Sequence, residues 1–311
     1  MKKVVLYVAT LCVIFFCAAF GLTGCGETQT GETGSRVVAG DAVTLEILDY
    51  LGVNIVGVPD GAEEVLDGKY ADEEKYPRIG NAMGMDEEAA YLLDPSEVVV
   101  TRTAEDAFGN VVSPFESLGI TVRLADYNTI PNLKETISDL GTYFGKEEAA
   151  QRLLSELAEK EAPILAEISA MEEKPSALVL FGAPMGESSI MVESANAYGG
   201  SLVSYIGAVN AETEVANDSR GQYRPNDWEP YVSAQSDYIL CIAHGDPEAV
   251  WAVYDSMWTN LPWTYSRAVK EGRIYYLPSE QVNVNATLNY AEDLQYLLDI
   301  FNGEIESSYG C

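Results

Sequence analysis

The chain has 311 residues and opposes 49 Asp and Glu to 18 Lys and Arg, for a formal net charge of -31. Such a surplus of negative charge repels nucleic acid and anionic lipid headgroups and excludes both as partners. An apolar content of 47% excludes disorder, because enough surface can be buried to offset chain entropy, and the length fits two lobes better than one.

Lys2 and Lys3 precede an apolar run from Val4 to about Phe20, followed by Leu22-Thr23-Gly24-Cys25. A basic start, a short apolar core and a small-residue ending describe an export signal over residues 1–24, too short and wrongly flanked for a membrane span. The ending resembles a bacterial lipobox, which implies cleavage before Cys25, lipidation of that residue and a protein held on the outer face of the cytoplasmic membrane. Residues 25–35, rich in Gly, Thr and Glu, read as a flexible tether. Of the remaining cysteines, Cys241 lies in an apolar run and reads as core, and Cys311 falls on the tail 304–311. Neither belongs to a Cys-x-x-Cys-His haem-attachment motif.

Residues 36–146 alternate short apolar runs with amphipathic ones. A helix is predicted from Asp41 to Leu51 and strands at Ile55–Val58, Val98–Thr101 and Ile120–Leu124. A further helix begins at Pro131, where proline suits the first turn, and runs to about Phe144. Residues 147–174 are long, charged and helical in pattern, with Leu153, Leu157, Ile164 and Ile168 on one side. They read as a connector, with a kink or a break into two helices at Pro163. Residues 175–303 resume the alternation: strands at Ala177–Phe181, Tyr238–Ile242 and Ile274–Leu277, a helix from Pro247 to about Trp258, and a closing helix from Asn285 to Phe301. The fold expected is α/β: two parallel-sheet lobes joined by a single long helix, with a ligand cleft between them.

His244 is the only histidine. Zinc and other transition-metal sites draw on several His or Cys ligands at once, which disfavours a bare-metal site. One imidazole suffices as an axial ligand of haem, where the porphyrin supplies the other donors. His244 follows a predicted strand and precedes a helix opened by Pro247. Met83 lies in a loop before a helix capped by Asp86. Ligands of open α/β sheets bind beyond the carboxyl ends of strands, which sets both residues at one crevice, with Gly84 and Gly245 permitting close approach. Met185, Met191, Tyr223 and Trp228 are candidate walls, and Arg224 and Tyr198 candidate partners of the propionates. No Gly-x-Ser-x-Gly elbow, phosphate-binding loop or His-based triad appears, although abundant carboxylates leave an extracellular glycosidase as a distant alternative.

Three stretches resemble the substrate-binding proteins of ABC importers of the chelate, cobalamin and haem class, and within it the haem-binding lipoproteins of iron-regulated surface determinant uptake. Gly80-Asn81-Ala82-Met83, with Glu88, Leu93 and Pro95, is similar to the family's Gly-Asn-Pro-Met and its following Glu, Leu and Pro. Tyr223, Glu229, Asp237 and Leu240 keep family spacing, and His244-Gly245, Pro247, Glu248 and Val250 match His-Gly-x-Pro-Glu-x-Val. The resemblance implies haem as transported ligand, with Met83 and His244 as axial ligands. Ala82 and Met85 stand where the family has prolines, which makes Met85 a rival ligand. It further implies an ABC permease with its ATPase as partner, met through Glu88 and Glu229, with room for an upstream haem donor, and a chain acting as a monomer. The same architecture binding a ferric siderophore or a cobalamin is the alternative.

Overall fold

The computed structural model describes residues 34–81, 84–109, 111–211, 221–278, 282 and 284–309. Cys25, the export signal, most of the tether and Cys311 lie outside them.

The first half runs β1 (Val37–Ala39), α1 (Ala42–Leu51), β2 (Ile55–Gly57), α2 (Ala62–Val65), β3 (Gly80–Asn81), β4 (Gly84–Met85) and α3 (Glu87–Leu92). It continues through β5 (Glu97–Thr101), α4 (Arg102–Phe108), α5 (Val112–Ser117), β6 (Thr121–Ala125) and α6 (Ile130–Tyr143). Strands β2-β1-β5-β6 form a wholly parallel sheet in that order. Strand β1 and the Val98–Thr101 part of β5 read as unbroken apolar or β-branched runs because helices cover both faces, and every residue of both strands is buried, Glu97 included. Helix α1 starts where Asp41 accepts from the Thr44 N–H at 2.8 Å and stops at Gly52, whose φ of 70° suits glycine. The same carboxylate accepts from the Thr101 N–H at 2.8 Å and ties α1 to the end of β5.

Helix α7 (Glu147–Ala170) is one helix of 24 residues, not two. Pro163 and Glu159 both sit on the solvent side, so the carbonyl that loses its partner to the proline ring faces water. The helix ends four residues before the predicted Lys174 because the Lys174 ammonium turns back as its cap. It donates to the carbonyls of Ile168 (2.5 Å), Ser169 (3.0 Å) and Met171 (3.3 Å). Helix α7 packs on α1 and α6 and on two helices of the second half, inside one apolar core that spans both sheets.

The second half runs β7 (Ser176–Gly182), β8 (Met191–Glu193), α8 (Tyr198–Ile206), β9 (Val209–Asn210), β10 (Gln222–Tyr223), α9 (Glu229–Ser233) and β11 (Tyr238–Ala243). Helices α10 (Pro247–Trp258) and α11 (Arg267–Lys270), β12 (Ile274–Tyr276) and α12 (Tyr290–Asn302) complete it. The sheet order is β10-β8-β7-β11-β12, with β9 on β7. The parallel sheet expected here is mixed: β8 runs antiparallel to β7, and β10 antiparallel to β8. The link from Gly182 to Met191 is too short for a helical crossover, so the chain returns antiparallel. Helix α12 begins at Tyr290 rather than Asn285. Asn285 and Ala286 are engaged with the first half, through Thr103 Oγ1 at 2.8 Å and the Tyr127 carbonyl at 2.7 Å. Cys241 is buried in β11, as its apolar neighbours predict.

Candidate functional site

His244 is the residue that follows β11. Its N–H donates to the Gly182 carbonyl at 2.8 Å, extending the β11–β7 ladder by one bond. The imidazole is exposed and lies over Phe181, ring centroids 5.8 Å apart and planes 27° apart. Phe181 pairs with Ile242, so His244 is its diagonal neighbour across the strands. Behind His244 the backbone turns through Gly245 at φ 89°, a conformation that suits glycine. Asp246 then caps α10, its carboxylate accepting from the N–H groups of Glu248 (3.1 Å) and Ala249 (3.4 Å). The imidazole thus stands between a fixed strand end and a fixed helix start. Sequence reasoning passed over Phe181 and Asp246. The signals were an aromatic at the end of β7 and an Asp before a proline in the first helical turn.

Two of the predicted wall residues belong to this rim. Met185 is 74% exposed and follows Pro184, whose ring faces Gly245. Met191 is half-buried and pairs with Phe181 in the ladder. Tyr223 and Trp228 gather elsewhere in the second half. The hydroxyls of Tyr223 and Tyr231 are 3.1 Å apart, and the Trp228 ring stands 5.2 Å from Trp263 and 5.8 Å from Tyr231. Both pack partly buried on the core of that half. Tyr198 is corrected. It is 1% exposed, and its hydroxyl is committed to the buried carboxyl of Asp293, so no propionate reaches it. Arg224 is exposed and forms no ion pair among the described residues.

In the first half, β3 and β4 form a hairpin in which Gly80 pairs with Met85 and Asn81 with Gly84. Gly80 has φ 80°, and a Cβ there would come within 2.3 Å of the Gly84 carbonyl oxygen, so only glycine closes this hairpin. Ala82 and Met83 lie outside the described residues. Met85 packs half-buried against two apolar clusters that include Ile79, Val98, Val100 and Ala104. That position gives Met85 a packing role in the first half. Asp86 caps α3 as predicted, accepting from the Ala89 N–H at 2.9 Å. Glu88 and Glu229 are both exposed in the first turns of α3 and α9.

A cavity of about 540 Å³ opens between the two halves, lined by Asp126, Asn128, Thr129, Asn196, Ser201 and Tyr205. It does not include His244. The rim that carries His244 is the better candidate site. No helix among the described residues is long and apolar enough to cross a membrane.

The family pattern described as "Periplasmic binding protein" matches residues 37–281. The chain is 27% identical over 277 residues, 88% of its own length and 89% of the relative's, to the high-affinity heme uptake system protein IsdE of Staphylococcus aureus strain Newman. Among solved structures it superposes on an ABC transporter substrate-binding protein of Listeria monocytogenes EGD-e with a TM-score of 0.75 at 29% identity, covering 86% of this chain and 98% of that one. It also superposes on S. aureus IsdE complexed with heme, with a TM-score of 0.72 at 24% identity, covering 86% and 99%. The vitamin B12 binding protein BtuF of Vibrio cholerae shares the fold with a TM-score of 0.61 at 14% identity, covering 86% and 96%.

Proposed function

The chain belongs to the periplasmic binding protein family and is a substrate-binding protein of the ABC-transporter class that takes haem, siderophores or vitamin B12, and we propose that its own ligand is haem. In this reading the macrocycle lies between the lobes with Met83 and His244 as axial ligands. The protein is lipid-anchored at Cys25 on the outer face of the cytoplasmic membrane and hands haem to an ABC permease and its ATPase, with Glu88 and Glu229 meeting the permease.

One observation carries the reading. The single histidine of the chain is presented to solvent at the end of β11, held by a ladder bond before it and a capped helix after it. An imidazole needed only for packing would be buried. This one is exposed, with one face on Phe181. Such an arrangement leaves a ring nitrogen available to iron, while Met185 and Met191 offer soft apolar contacts to the porphyrin edge. A thioether as the opposite ligand would raise the iron potential.

Titration of the soluble chain, starting after Cys25, with hemin, cyanocobalamin and a ferric catecholate siderophore tests the ligand. A saturable Soret shift at one hemin per chain is expected, without saturable changes for the other two. Saturation by cobalamin or siderophore alone would replace haem as the ligand.

A further inference from the structure

Four of the large apolar side chains that stand in solvent flank the same two carboxylates. On α3, Tyr91 (51% exposed) and Leu92 (75% exposed) lie three and four residues after Glu88, on one face of the helix. In the second half, Glu229 follows Trp228, whose ring packs on Trp263. Leu261 (71% exposed) and Tyr265 (62% exposed) stand on either side of Trp263 in the chain. The Gln235 amide, just past α9, donates to the Tyr265 carbonyl at 3.3 Å and holds that turn beside the helix. The two carboxylates are placed alike, since α3 and α9 each end five residues before an inner strand of their sheet, β5 and β11, while the apolar pairs come from different elements: α3 itself in the first half, the turn after α10 in the second.

Scattered exposed leucines need no explanation, but apolar pairs set beside an exposed carboxylate in both halves do. We propose that Tyr91 with Leu92, and Leu261 with Tyr265, are apolar anchors for the permease, gripping it beside Glu88 and Glu229. The inference rests on the reading of the chain as a protein that delivers its ligand to a permease. The matching surface of the permease then carries, twice, an arginine or lysine next to an apolar recess. Charge complementarity selects this occupant over a second copy of the chain, because a chain of formal net charge -31, more negative still once Lys2 and Lys3 leave with the signal, repels its own kind and attracts a basic patch. The labour divides as at other interfaces: the carboxylates speed encounter, and the buried apolar anchors slow dissociation.

The test places the photoreactive residue p-benzoylphenylalanine at Leu92, at Leu261 and, as control, at Val209 on edge strand β9, in the full-length chain in its own membranes. Crosslinks from 92 and 261, and not from 209, to one polytopic membrane protein that co-purifies with an ATP-binding subunit are expected. Soluble L92S and L261S chains should compete for these crosslinks about tenfold less well than the wild type, at low and high salt alike, with hemin titrations unchanged. Crosslinks absent from both sites, equal from Val209, or made to a second copy of the chain would overturn the anchors. Hemin titration of the wild type stands apart from this result: crosslinks without hemin binding keep the anchors and sink the ligand, and binding without crosslinks does the reverse.

Discussion

The Lys134 ammonium on α6 meets both carboxylate oxygens of Glu161 on α7, at 2.7 and 2.9 Å. Glu161 is 7% exposed, and the Tyr290 hydroxyl of α12 (2.7 Å) and the Tyr205 hydroxyl of α8 (2.9 Å) donate to it as well. One ion pair therefore joins a helix of the first half, the long connector and two helices of the second. Removing the ammonium leaves a buried carboxylate without its cation. Lys134→Ala is expected to lower stability by about 3 kcal/mol in urea denaturation, and Lys134→Met with Glu161→Leu to recover most of that loss. A single variant within about 0.5 kcal/mol of the wild type would show the junction to be held by apolar packing alone.

Stability is expected to fall as pH rises from mildly acidic to neutral. Burial pushes the Glu193 carboxyl up to about 7 and the Asp293 carboxyl up to about 6, so the folded chain keeps these protons where the unfolded chain has lost them. The stabilisation is fully present below the unfolded values of 4.5 and 3.8 and is lost as pH passes the folded ones. For Glu193 the slope reaches at most about 1.4 kcal/mol per pH unit within its window. Thermal melts from pH 5 to pH 8 should show the melting point falling, and Glu193→Gln should flatten the fall. An equal slope in the variant would remove Glu193 as its source.

Tyr198→Phe separates a core role from a ligand role. The change leaves Asp293 buried without the Tyr198 hydroxyl, which costs about 1–3 kcal/mol. Hemin affinity should not move. A weaker hemin titration with unchanged melting would return Tyr198 to the propionates.

Gly80→Ala probes the hairpin that flanks Met83. The added methyl cannot coexist with the Gly84 carbonyl, so the β3–β4 pairing must shift while the buried β1 and β5 hold. At least a tenfold loss of hemin affinity is expected, with far-UV circular dichroism unchanged. Full affinity in that variant would mean that the hairpin does not position a ligand.

Strands buried on both faces were legible in the sequence because their apolar runs are continuous, as in Val98–Thr101 and Tyr238–Ile242. Helix starts at Asp41, Asp86 and Pro247 were legible because their chemistry is local. What local pattern could not convey was partnership at a distance. Tyr198 looks like an aromatic free to reach a ligand until Asp293, 95 residues on, claims its hydroxyl. Nor does local sequence show that the Trp228 ring packs, tilted, on Trp263, or that Met85 packs on the core of the first half. The antiparallel return of β8 is likewise fixed by a connection too short for a helix, which apolar periodicity does not report. His244 was legible as a candidate through its uniqueness, and its seat on Phe181 emerged only from the β11–β7 register.

The most direct test of the account is the absorption spectrum of hemin-loaded soluble chain beside its His244→Ala, Met83→Ala and Met85→Ala variants. A six-coordinate low-spin spectrum in the wild type is expected, converted to five-coordinate by His244→Ala and altered by Met83→Ala, with Met85→Ala unchanged. A low-spin spectrum that survives His244→Ala, or the absence of any saturable Soret shift in the wild type, would contradict it.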